Sequence, residues 1–215
     1  MKQKPSINPI SSILKNHYEK SFEKFGPSSA GVDWGQDKTR MLIRYNNMLD
    51  LVEKPQARKK QSLLDVGCGF GGLAAYARQK DIALNYTGID VATNMIRWAK
   101  KNIKQSKFIE DDFLAHDFSG ATYDYIICNG ILTQKLDCSL REMDVFAKAL
   151  IHKMYSLCKK GIAFNIMTTY VNFFAPNLYY KHPAELLSYC LSELSTKVKI
   201  DHAYGLYEFT VYVYR

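Results

Sequence analysis

The chain has 215 residues, 47% of them apolar, and a formal net charge of +8. That length favours one domain, or one domain with a helical extension, and no apolar run reaches the roughly 20 residues of a membrane-spanning helix. The opening MKQKPSINPISS lacks the apolar stretch of a secretory signal, so the expectation is a soluble, cytoplasmic protein.

In chain order, two helical patterns come first. Asn8 can cap the first, Pro9 suits its first position and Gly26 can end it, with Ile10, Ile13, Leu14, Tyr18, Phe22 and Phe25 approximating an apolar stripe. Met41, Leu42, Tyr45, Met48, Leu49 and Val52 repeat at helical spacing before Pro55. Between them the turn-rich GPSSAGVDWGQ (26–36) carries Trp34, whose cover is the core or a ligand. From residue 62 short apolar runs alternate with helical segments. Strands are expected at 62–66, 85–89, 107–110, 123–128 and 162–167, and helices at about 71–80, 92–103 and 138–159. This alternation predicts an α/β fold with a parallel sheet covered by helices. The last residues, KVKIDHAYGLYEFTVYVYR, hold two β-rich runs joined by a short turn, hence an antiparallel hairpin added to the sheet. The expected domains are a helical extension or lid over 1–60 and a ligand-binding α/β domain over 61–215.

Five scattered cysteines without a C-x-x-C pair suit reduced thiols, with Cys68 and Cys128 as small packing residues. The basic runs 54–60 and 100–107 read first as solvated surfaces, and second as attraction to a phosphorylated metabolite or RNA. No RGG tract, basic tail or aromatic RNA-binding motif supports nucleic acid as a partner.

The strongest local signal is LLDVGCGFGG (63–72). Gly67, Gly69 and Gly72 satisfy G-x-G-x-x-G, which alone also fits a nicotinamide or flavin cofactor. Asp65, however, stands two residues before the first glycine. A pyrophosphate would be repelled by that carboxylate, whereas an ammonium or sulfonium would not. The loop also begins some 60 residues into the chain, and the chain ends in an antiparallel hairpin.

With these features the sequence resembles the class I S-adenosylmethionine-dependent methyltransferases over about residues 60–215. LLDVGCGFGG resembles their first motif, with Asp65, Gly67, Gly69 and Gly71 in place; YTGIDVATNMI (86–96) resembles the second; FIEDDFL (108–114) the third; and YDYIICNGIL (123–132) the fourth. The resemblance implies a Rossmann-like seven-stranded sheet, mostly parallel, with a C-terminal antiparallel hairpin. It implies S-adenosyl-L-methionine (SAM) as cofactor and S-adenosyl-L-homocysteine (SAH) as product. It also implies that the glycines lie beneath the methionine part, and that Asp90, with Val91 beside it, accepts the ribose hydroxyls. Asp112 is the choice for the adenine amino group, with Asp111 the competitor, and Phe113 flanks the ring. YEKSFEKFG, GVDW, LYYKHP and YGLYEFTVYV further resemble small bacterial methyltransferases of surface-polysaccharide and small-molecule pathways, which implies a small-molecule acceptor, a sugar or a phosphate-bearing metabolite. In that reading Trp34 and the N-terminal helices form a lid over the donor; simple packing of these helices on the sheet is the other reading.

Ligands of an open α/β sheet sit beyond the carboxyl ends of the strands. Asn129 ends the fourth strand there. If the sixth strand is parallel, His202 and Tyr204 reach the same edge, with Tyr207 and Glu208 on the returning strand. His202 is the candidate base, for its near-neutral pKa, with Tyr204 and Asn129 beside it; His116 and His182 are weaker, and Tyr179 and Tyr180 are candidate pocket walls. Asn129-Gly130-Ile131-Leu132 lacks the D/N-P-P-F/Y motif of enzymes that methylate nucleobase amines or glutamine amides, and no metal-ligand spacing is present. The alternative to a small-molecule acceptor is RNA or protein, motivated by the net charge.

Overall fold

The computed structural model describes residues 7–53 and 60–215. In the described residues the chain opens with α1 (Pro9–Phe25), a 3-10 turn (Ala30–Val32) and α2 (Lys38–Leu49). The expected caps of α1 are realised: the Asn8 side chain accepts from the Ile10 N–H, Pro9 is at the first turn, and Gly26 closes the helix at φ 63°. The second helix starts earlier than its apolar pattern, because the Asp37 carboxylate caps it by accepting from the Thr39 N–H at 2.8 Å.

The α/β portion follows as β1 (Gln61–Val66), α3 (Gly72–Gln79), β2 (Leu84–Asp90), α4 (Thr93–Asn102), β3 (Lys107–Glu110), β4 (Tyr123–Cys128), α5 (Leu140–Leu157) and β5 (Cys158–Thr168). Then come β6 (Tyr180–Lys181), α6 (Pro183–Glu193), β7 (Val198–Asp201) and β8 (Glu208–Tyr214). The sheet order is β3-β2-β1-β4-β5-β8-β7. β8 runs antiparallel to both β5 and β7, which makes β7 parallel to β5, and the other pairings are parallel. The expected seven strands are present. An eighth, β6, pairs with Met167 and Thr168 of β5 beyond the point where β4 stops. The helix α6 was not anticipated; His182 caps it and Pro183 opens it, a start signal available in KHPAE.

Alternation along the strands divides the core into two layers. Leu64, Val66, Ile126 and Cys128 face one cluster with α5 and α6; Leu63, Tyr125 and Ile127 face the other with α2, α3 and α4. Helix α1 joins both, since Ile10 and Leu14 belong to the α5 layer and Phe22 to the α2–α4 layer. It therefore crosses the edge of the sheet from one face to the other. All five cysteines are free and buried. Of the two basic runs, 54–59 lies outside the described residues, while Lys100, Lys101, Lys104 and Lys107 are exposed. No described helix is long and apolar enough to cross a membrane.

Candidate active site

A cavity opens where β1, β2, β3 and β4 end, beneath α1 and Trp34. Its floor is the turn after β1. Gly67 holds φ 74°, a conformation that strains any residue with a side chain, and a Cβ there would lie 2.5 Å from the Ile131 side chain and displace it. Gly69 turns its N–H outward to Asp90 Oδ2 at 2.8 Å, and the second Asp90 oxygen accepts from the Ala92 N–H at 2.8 Å. Gly69 and Val91 line the cavity; Gly71 instead serves as the left-handed N-cap of α3, against Phe108, and does not reach it.

Four carboxylates face this space. Asp65 is buried, takes the Tyr86 hydroxyl hydrogen bond, and has its pKa pushed up to about 7, chiefly by burial, with the Asp90 charge adding to the rise. Burial also raises Asp90, against the pull of the Ala92 and Gly69 N–H groups. Asp112, the candidate adenine partner, is buried and accepts from the Asn8 N–H at 2.7 Å and the Leu114 N–H at 3.0 Å. Asp111, its competitor, also lines the cavity and bonds His116 Nδ1 at 2.8 Å; Phe113 lies alongside.

The roof comes from residues the motifs did not single out. Ser11, Leu14 and Tyr18 of α1 line the cavity. The Tyr18 hydroxyl lies 3.5 Å from the Gly130 carbonyl, and burial, with the Asp33 and Asp90 charges, keeps it protonated. The Glu19 carboxylate caps α4 by accepting from the Thr93 N–H at 2.7 Å, which fixes α1 across the strand ends. Tyr18 was legible only as one member of an apolar stripe; no local pattern marked it as facing a ligand.

Asn129 also lines the cavity. It is 8% exposed, and among the described residues neither its amide oxygen nor its amide nitrogen has a hydrogen-bond partner. Trp34 lines the cavity too, packed edge-on against Tyr45 at 5.9 Å. The fold does not bring His202 or Tyr204 to it. His202 is exposed, its ring beside Tyr170 and Phe209. The Tyr204 hydroxyl lies 3.1 Å from Thr210 Oγ1. The strand direction was as expected, but β8 and β7 stand on the far side of β5 from β1 and β4, which carries their loop away from the cavity. The Tyr179 hydroxyl donates to Asp144, Tyr180 accepts from the Ala175 N–H, and His182 caps α6.

Residues 63–161 match the methyltransferase domain family. A Mycobacterium tuberculosis protein named as a methyltransferase, Rv1506c, is 31% identical over 154 residues, spanning 71% of this chain and 92% of its own length. The chain belongs to the S-adenosylmethionine-dependent methyltransferases. Two solved structures share the fold of this methyltransferase across nearly its whole length. Magnesium protoporphyrin IX methyltransferase from Synechocystis PCC 6803 with bound SAM has a TM-score of 0.67, 16% identity and coverage of 98% of this chain and 99% of that one. The plantazolicin methyltransferase BpumL, in complex with a desmethylPZN analogue and SAH, has a TM-score of 0.60, 15% identity and coverage of 95% and 98%. The cofactor of this methyltransferase is SAM and its product SAH. The glycine-rich floor, the carboxylates and the unpartnered Asn129 amide fit a cationic nucleoside of that kind.

Proposed function

We propose that this methyltransferase transfers the methyl group of SAM to a small-molecule hydroxyl or amine inside the cavity beneath α1. The observation that carries this reading is the Asn129 amide, nine-tenths buried and without a protein partner, at the roofed end of the same cavity that Asp65 and Asp90 line. A buried amide without partners costs about 1–3 kcal/mol, so its retention points to a ligand that satisfies it. When bound, the cofactor supplies a methyl carbon already activated by the sulfonium.

The chain's own residues then have three tasks. Asp90 accepts the ribose hydroxyls with the lone pairs left free by Gly69 and Ala92. Asp112 or Asp111 accepts from the adenine amino group beside Phe113, and Asp65 faces the methionine ammonium. Asn129 and the Gly130 carbonyl orient the acceptor, Tyr18 donates from above, and α1 with Trp34 excludes water; holding two reactants in line is the main catalytic requirement of such a displacement. In this reading residues 7–53 act as the lid.

Among the described residues the cavity lining contains four carboxylates and no Lys, Arg or His. A sugar hydroxyl or an amine is therefore the favoured acceptor, because a phosphate would face these carboxylates with no described cationic side chain to offset them. The two structural neighbours are named for magnesium protoporphyrin IX and for plantazolicin, neither of them a nucleic acid. The test is label transfer from methyl-labelled SAM into fractionated small-molecule extracts, compared with tRNA and protein. Salt-sensitive transfer into RNA, with none into the small-molecule fraction, would replace this acceptor class with the RNA reading motivated by the +8 charge.

A further inference from the structure

Glu208 opens β8 opposite Met167, and its side chain is 1% exposed. A carboxylate so deeply buried must be fully partnered. Its oxygens accept from Arg44 Nε at 2.9 and 3.0 Å, from Arg44 Nη2 at 2.8 Å, and from Asn165 Nδ2 on β5 at 3.0 Å. Neither Glu208, Arg44 nor Asn165 lines the cavity. Both routes leading from Glu208 nevertheless end at the turn after β4.

The first route is direct: Asn165 Oδ1 accepts the Gly130 N–H at 2.8 Å. The second passes through the lid. The Arg44 guanidinium sits 4.9 Å from the centre of the Trp34 ring, and Trp34 lies so close to Gly130 that a Cβ there would stand 3.0 Å from it. Gly130 holds φ 101°, a conformation that an ordinary side chain resists. An unusual backbone is thus pinned from below by a hydrogen bond and from above by an aromatic wall, and a single carboxylate fixes both. The residue before Gly130 is Asn129, whose amide faces the cavity.

The geometry points to Glu208 as a positioning residue: with Arg44 and Asn165 it holds the Asn129–Gly130 turn and the Trp34 wall in one register for ligand binding. This inference rests on the cavity being the donor site, as proposed above. A buried ion pair is a poor source of net stability, and replacing both members by apolar residues of similar volume is often neutral or stabilising. That property separates positioning from simple packing.

The experiment compares wild type, Glu208→Gln, and the paired variant Arg44→Met with Glu208→Leu. The readouts are melting temperature, SAH affinity by calorimetry, and amide hydrogen exchange of a peptide containing Gly130. The expected result is that the paired variant melts close to wild type, yet binds SAH about tenfold more weakly (about 1.4 kcal/mol) and exchanges faster at residues 129–133. Glu208→Gln is expected to lose both stability and affinity, because it leaves the Arg44 charge unpaired. A paired variant with wild-type SAH affinity and wild-type exchange would overturn the inference. If Asp90→Ala retained full SAH affinity, the donor-site reading itself would fail, and the positioning role would fall with it; loss in Asp90→Ala with full affinity in the paired variant would overturn the positioning role alone.

Discussion

The two walls of the cavity are built in opposite ways. The donor wall runs from Asp65 to Phe113, a stretch of under fifty consecutive residues, and each part sits at the end of one strand. The opposite wall takes Tyr18 and Trp34 from the helical extension and Asn129 and Gly130 from after β4, held by Arg44 and Glu208, which stand 164 positions apart. Locally built walls use backbone conformation and caps, which leave a pattern in adjacent residues. A wall assembled across the sheet order leaves a weaker one: the sequence marked Trp34 and Asn129, but nothing local showed that Tyr18, Arg44 and Glu208 would meet them.

The largest expected effect tests the donor wall. Asp90→Ala removes the acceptor of the Gly69 and Ala92 N–H groups as well as the proposed ribose contact. At about 1.5–3 kcal/mol per charged hydrogen bond, SAH affinity measured by calorimetry should fall about ten- to a hundredfold; an unchanged affinity would erase the difference between the walls.

Next comes pH. Asp65 has a folded pKa of about 7, above the usual carboxylate range, because burial favours its neutral form. Its contribution to the stability of the ligand-free chain is therefore full at acid pH and is lost as pH rises through that value. The methionine ammonium of SAH, facing Asp65 in the proposed pose, favours the ionised form, so below about pH 7 binding must release a proton. SAH affinity should rise with pH by up to about tenfold per unit and level off above it, as one linked proton allows. Asp65→Asn should flatten this profile.

Asn129→Leu sharpens the comparison from the other side. It replaces a buried, unpartnered amide with an apolar group of similar size. The ligand-free chain should gain about 1 kcal/mol in stability, read as a higher melting temperature, while methyl transfer to the acceptor falls. The smallest effect belongs to His202→Ala. That exposed side chain stands outside the cavity, so stability should move by less than about 0.5 kcal/mol and SAH affinity not at all.

Legibility followed the same division. Alternation and caps located β1 to β5 and α1 to α5 within a few residues, and LLDVGCGFGG located the floor of the cavity. The expectation that His202 would share the active edge was sound about strand direction but lacked the lateral position of β7, two strands beyond β5. Tyr18 and Leu14 carried a helical period, yet nothing in that period distinguishes a stripe that covers a sheet from one that roofs a cavity.

The order of residues by itself determined the elements other than β6 and α6, the parallel character of the sheet and the carboxylate-led turn, since each depends on the conformational preferences of neighbours in the chain. Only the tertiary structure decided which face α1 covers, that the Asn129 amide finds no protein partner, and that Arg44 meets Glu208. Those outcomes depend on how helices and strands far apart in sequence share a limited volume, and burial, which sets the cost of an unpaired amide or charge, exists only once they do.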